Sequence, residues 1–181
     1  MKEIIWHGRG GQGVVLASSI LGTALAIYET KHAMSIPSFG AERRGAPLIA
    51  ITRVSENPIR RRNLTVDPDY IVILDDSLII TALANRGHEK SRQIVVNSKK
   101  TTIEIDPIYR QSTTIIDAEA ISLEILGRPI TNTVMLGVLS AVTNLVRIQS
   151  IIKAIADVME PNIAQENMLA ADAGFRAMNR V

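Results

Sequence analysis

The chain has 181 residues, 46% of them hydrophobic and 21% charged, with a formal net charge of +2. That composition belongs to a globular chain long enough for one sizeable core and excludes a disordered one. There is no cysteine, which excludes disulfides, cysteine-ligated zinc and a cysteine-ligated iron–sulfur cluster on this chain.

Aromatic residues make up only 3%, so the core must be built from Ile, Leu, Val, Ala and Met. Basic residues are scattered apart from Arg60-Arg61-Arg62 and Lys99-Lys100. The basic face with interleaved aromatics that a nucleic-acid partner asks for is missing. No apolar run approaches the roughly 18 residues of a membrane span. A strand at the very start leaves no signal peptide, so a cytoplasmic location is expected.

Residues 2–7 read as a strand. Gly8-Arg9-Gly10-Gly11-Gln12-Gly13 follows, then a helix over about 13–28 with Val14, Ala17, Leu21, Ala24, Leu25 and Tyr28 at helical spacing. A second strand over 32–36 ends at Pro37, and a loop carries Phe39-Gly40-Ala41-Glu42-Arg43-Arg44-Gly45-Ala46-Pro47. The third strand, 48–54, is rich in β-branched residues. Residues 55–69 are polar, with Asn57-Pro58 and Asp67-Pro68 as turn signals. The fourth strand, 70–74, is a continuous apolar run that suits burial on both faces of a sheet. Asp75-Asp76-Ser77 offers caps to a helix over about 77–84.

A fifth strand covers 93–97, a short one 101–105 and another 113–117. A helix over 118–126 stops at Gly127. From Asn132 the pattern is helical over 132–145, 148–159 and, after a break at Pro161, 162–179. This order implies an α/β three-layer sandwich: a mostly parallel sheet, helices on both faces and a helical C-terminal third, as one domain over 1–181. Ligands of such sheets sit beyond the carboxyl ends of the strands, where strand order reverses. Residues 8–13, 39–47 and Asp75-Asp76 all follow strands and share one edge if those strands are parallel neighbours.

Residues 8–13 match G-x-G-x-x-G. Three uses are open: a dinucleotide site, a site for another phosphate-bearing ligand on helix N–H groups, or a tight turn packed against a neighbouring chain. The acid that holds the ribose of a dinucleotide is missing after strand two, which ends Ser35-Ile36-Pro37-Ser38. No Gly-Lys-Ser/Thr follows either, which argues against nucleotide hydrolysis. The Arg43-Arg44 pair either forks onto a phosphate or carboxylate or pairs with acids on a partner. His7 lies beside the turn and reads as structural; Asp75-Asp76 reads as a helix cap. No metal-ligand spacing or catalytic triad is visible.

The two motifs, 6–13 and 39–47, resemble the gamma subunit of 2-oxoacid:ferredoxin oxidoreductases, with the pyruvate synthase branch nearest and the 2-oxoisovalerate enzymes close behind. Thr52-Arg53-Val54-Ser55 and Asn132-Thr133-Val134-Met135-Leu136-Gly137 agree in position and type. The family's usual second motif has Pro where this chain has Ala41. The resemblance implies a chain without catalytic or metal-binding residues of its own, in a complex with alpha, beta and delta subunits that passes electrons to ferredoxin. Thiamine diphosphate, Mg2+ and 4Fe–4S clusters would be held by the other chains. Coenzyme A would pass an edge formed by Gly8, Arg9, Gly10, Gly11, Gln12, Gly13, Arg43, Arg44 and Asn132, unless that edge is an interface. The alternative expectation is a free-standing CoA- or nucleotide-binding α/β domain.

Overall fold

A computed structural model describes residues 1–38, 45–60, 68–84, 91–103 and 105–179. Among them six strands form one sheet in the order β2-β3-β1-β4-β5-β6. These are β1 (Lys2–Arg9), β2 (His32–Ser38), β3 (Pro47–Ser55), β4 (Tyr70–Ile73), β5 (Gln93–Asn97) and β6 (Thr113–Ile116). β1, β4, β5 and β6 pair in parallel, whereas β3 runs antiparallel to both β1 and β2. The sheet is therefore mixed, with β3 the reversed strand.

The helices are α1 (Val14–Thr23), α2 (Ile79–Leu83), α3 (Pro107–Arg110), α4 (Ala118–Leu126), α5 (Asn132–Thr143), α6 (Ile148–Val158) and α7 (Pro161–Met178). Alternation along the strands sorts their side chains to two faces. Ile4, Trp6, Ala50, Val72 and Val95 join the large core under α1 and α4–α7. Ile71, Ile73, Ile94 and Val96 face the other way, toward Ile79, Ala82 and Tyr109 of α2 and α3. Helices thus cover both faces, as the element order predicts. The second face is the thinly covered one, and Ile80 of α2 is 83% exposed.

Local signals explain most boundaries. Asp117 accepts from Ala120 N at 2.9 Å to start α4, and Gly127 in the left-handed region ends it. Pro161 occupies the first turn of α7, where its missing N–H costs nothing. A buried polar chain pins α1 to the sheet. Trp6 Nε1 donates to Thr52 Oγ1 at 3.0 Å, Thr52 Oγ1 and Ser18 Oγ lie 2.9 Å apart, and Ser35 Oγ donates to the Ser18 carbonyl at 2.7 Å. On the opposite face Arg53 Nε donates to Glu3 Oε1 at 2.6 Å, inside the protein.

Three expectations change. The predicted helix over 13–28 is α1 followed by a π-helical turn at Ala24–Tyr28. The predicted strand over 101–105 is absent from residues 101–103 and 105, and Glu104 lies outside the described residues. Ile103 and Ile105 instead pack against the second core. The first strand runs on to Arg9, so Gly8 is a strand residue opposite Leu48 rather than part of the turn.

Candidate functional site

β1 and β4 are parallel neighbours whose following helices lie on opposite faces of the sheet. Between their carboxyl ends is the switch point at which such sheets open a crevice. The turn of residues 10–13 leaves β1 there. Gly11 and Gly13 have φ of 96° and 79°, a left-handed conformation that glycine adopts without strain. Gly13 is the N-cap of α1 and makes no side-chain cap hydrogen bond, and the first N–H groups of a helix have no partner within it.

The turn is clasped by the start of β3. Gly10 N donates to the Ala46 carbonyl at 2.9 Å, and Gly45 N donates to the Gly10 carbonyl at 3.1 Å. It is also tied to the end of β4. Arg9 Nε donates to Asp75 Oδ2 at 3.0 Å, and Gln12 Nε2 donates to the same oxygen at 3.1 Å. Gln12 Oε1 accepts from Arg9 N at 2.7 Å. Arg9 further donates to the Gly45 carbonyl at 3.0 Å and to Ser77 Oγ at 2.8 Å. Burial pushes the Asp75 carboxyl up, but the Ser77 and Gln12 hydrogen bonds and the Arg9 charge outweigh it. The net result lies below the ordinary aspartate value.

Asn132 opens α5 and lies beneath the turn at 1% exposure. Its Nδ2 donates to the Gly13 carbonyl across 3.4 Å, and its Oδ1 has no partner among the described residues. A Cβ on Gly13 would stand 2.4 Å from that Nδ2, so glycine is required for α1 and α5 to start this close together. Beyond the turn, a cleft of about 380 Å³ runs between Gln12, Asp75, Asn97 and Glu119. Its rim carries the Lys99–Glu119 pair at 2.9 Å.

The structure therefore brings together Arg9, Gly10, Gly11, Gln12, Gly13 and Asn132 at one edge. Gly8 supports them from within β1, where a Cβ would stand 2.5 Å from Val14 Cγ2. Arg43 and Arg44 lie outside the described residues, as do Arg61, Arg62 and His88. His7 is 5% exposed inside β1. Asp75 is more than the helix cap read from sequence. It caps Ser77 N at 3.1 Å and also anchors the turn. The missed signal is a carboxylate just past the end of the strand neighbouring a glycine turn that carries Arg and Gln.

Among the described residues no group of three or more His, Asp or Glu side chains is placed to hold a metal ion. Nor is any helix among them long and apolar enough to cross a membrane.

The family model of pyruvate ferredoxin/flavodoxin oxidoreductase matches residues 3–177. Pyruvate synthase subunit PorC of Methanothermobacter marburgensis is 44% identical over 98% of this chain and 98% of its own length. The pyruvate/ketoisovalerate oxidoreductases common subunit gamma of Thermococcus litoralis is 41% identical over 97% of this chain and 96% of its own. The crystal structure of pyruvate oxidoreductase subunit PORC from Thermotoga maritima superposes with a TM-score of 0.79 at 31% identity, covering 97% of this chain and 95% of that one. With both chains of every pair matched almost throughout, the chain belongs to the pyruvate ferredoxin/flavodoxin oxidoreductase family, as a gamma-type subunit of its 2-oxoacid:ferredoxin branch.

Proposed function

We propose that the chain is the gamma subunit of a pyruvate synthase complex and that its 10–13 edge receives an anionic part of coenzyme A. The overall reaction is pyruvate, CoA and oxidised ferredoxin giving acetyl-CoA, carbon dioxide and reduced ferredoxin. Alpha, beta and delta subunits are the partners, in the cytoplasm, and this chain acts as a single domain over 1–181. The other chains hold thiamine diphosphate, Mg2+ and the iron–sulfur clusters; the lack of cysteine here agrees with that division.

The observation that carries the ligand half is the glycine turn at the β1–β4 switch point, with the N-terminus of α1 behind it. Phosphate oxygens accept from backbone N–H groups of this kind. The Arg43-Arg44 pair immediately precedes Gly45 in sequence, and Gly45 is hydrogen bonded to Gly10; guanidinium forks are the groups that would suit a phosphate there. A second 2-oxoacid, 2-oxoisovalerate, is favoured by the relative named as a subunit common to pyruvate and ketoisovalerate enzymes. A shared gamma chain fits substrate choice made on the thiamine-bearing chains.

Arg44→Ala in the intact complex tests the ligand half. Loss of one charge-assisted contact raises the Michaelis constant for CoA about ten-fold, with little change for pyruvate. Weakened assembly with unchanged CoA dependence would instead assign the arginines to an interface.

A further inference from the structure

Two segments that meet at the ligand edge hang from one carboxylate. Asp75 Oδ2 accepts from Arg9 Nε and from Gln12 Nε2, and Oδ1 accepts from Ser77 N and Ser77 Oγ. Arg9 then reaches the Gly45 carbonyl, and Gln12 reaches back to Arg9 N. Nε, Nη1 and Nη2 of Arg9 are each engaged within the protein. Its positive charge is matched by Asp75, and the Asp75 negative charge is in turn masked from the edge. Asp75 therefore reaches the edge as a carboxylate whose two oxygens already accept from Arg9, Gln12 and Ser77.

We propose that Asp75 is a positioning residue: through Arg9 and Gln12 it sets the 10–13 turn and holds Gly45 against it, pre-forming the edge for an anionic ligand. That the ligand is CoA rests on the function proposed above. Arg9 and Gln12 accordingly act as struts and not as ligand contacts. The geometry demands a carboxylate. Both oxygens accept from donors, so an amide would turn one acceptor into a donor facing another donor.

The test uses the intact complex carrying Asp75→Asn. Hydrogen exchange is read by mass spectrometry over residues 8–13 and 45–50, beside the Michaelis constants for CoA and pyruvate. Exchange in both segments is expected to rise about ten-fold or more while the rest of the chain stays as it was. The constant for CoA should rise about ten-fold and that for pyruvate move less than about two-fold, as for a misplaced binding group. Unchanged exchange in both segments overturns the proposal. A rise spread over the whole chain also overturns it, because that marks a merely structural role. A local rise with an unmoved CoA constant upholds Asp75 as a positioning residue and tells against CoA as the ligand. Gln12→Ala is the milder companion, should the first variant not assemble. It cuts one strut and should loosen 8–13 while 45–50 stays protected; no loosening of 8–13 overturns the proposal.

Discussion

Gly137 of α5 lies directly against the main-chain carbonyl of Ala171 in α7: a Cβ built there would stand 1.8 Å from that oxygen. Gly174 answers from the other helix, where a Cβ would stand 2.2 Å from the Val134 carbonyl. The clash is with backbone, so no rotamer change relieves it. Gly137→Ala must separate the two helices and should cost about 1–3 kcal/mol or more. Denaturant unfolding measures this, and a loss below about 0.5 kcal/mol, the scale of a neutral surface change, counts against so tight a crossing.

Gly13 and Gly11 separate two kinds of glycine requirement. Gly13→Ala meets both a left-handed φ and the Asn132 amide, whereas Gly11→Ala meets only the φ, with nothing within 4 Å. Backbone strain alone is worth about 1–2 kcal/mol. Gly13→Ala should therefore weaken CoA use by the complex more than Gly11→Ala does. Michaelis constants in the reverse order would contradict the place of Asn132 beneath the turn.

The Asp75 carboxyl is held below its ordinary value of 3.8 in the folded chain. A depressed acid contributes stability above its unfolded value and loses that contribution as pH falls through the folded one. The stability difference between the wild type and Asp75→Asn should thus be flat from about pH 8 down to about pH 5 and shrink below about pH 4. A difference that changes between neutral pH and pH 6 would point to another titrating group.

Glu29 caps α6 from the far end of the π-helical turn. Its Oε1 accepts from Arg147 N at 3.1 Å, Arg147 Nε at 3.0 Å and Ser150 Oγ at 2.6 Å. The Arg147 side chain is 67% exposed, so its ion pair adds little. Glu29→Ala should cost about 1 kcal/mol, as other lost caps do, and Arg147→Ala less. Equal losses from the two variants would mean that the ion pair, and not the cap, holds the junction.

A continuous apolar run made β4 legible, and the Gly127 stop made the end of α4 legible to the residue, although Asp117, read as the last residue of a strand, is the N-cap of that helix. Asn132 and the glycine turn meet in space, where Asn132 Nδ2 donates to the Gly13 carbonyl at 3.4 Å, a contact across 119 residues that no local pattern announces. Strand direction was not legible. Alternation along 48–54 says which face a side chain takes but not which way the strand runs, so the reversal of β3 had no local signal. The Asp75–Arg9 link spans 66 residues of sequence and depends on β1 and β4 being neighbours. α3 did carry a signal, an Asp106 cap followed by Pro107 in the first turn, hidden by the Thr-Thr-Ile pattern just before it.

The reversal of β3 has an architectural consequence. Ser38 pairs with Ile49 and Arg9 with Pro47, so the segment joining β2 to β3 departs from and returns to the very edge that carries the glycine turn. The length and turn geometry of that segment, together with the hydrophobic pattern, set the register in which β2 and β3 pair. The strand pairings on either side thus tie the joining segment to the edge of the glycine turn. A change of length between Ser38 and Pro47 would therefore act on both at once, on the pairing of β2 with β3 and on what stands beside the glycine turn.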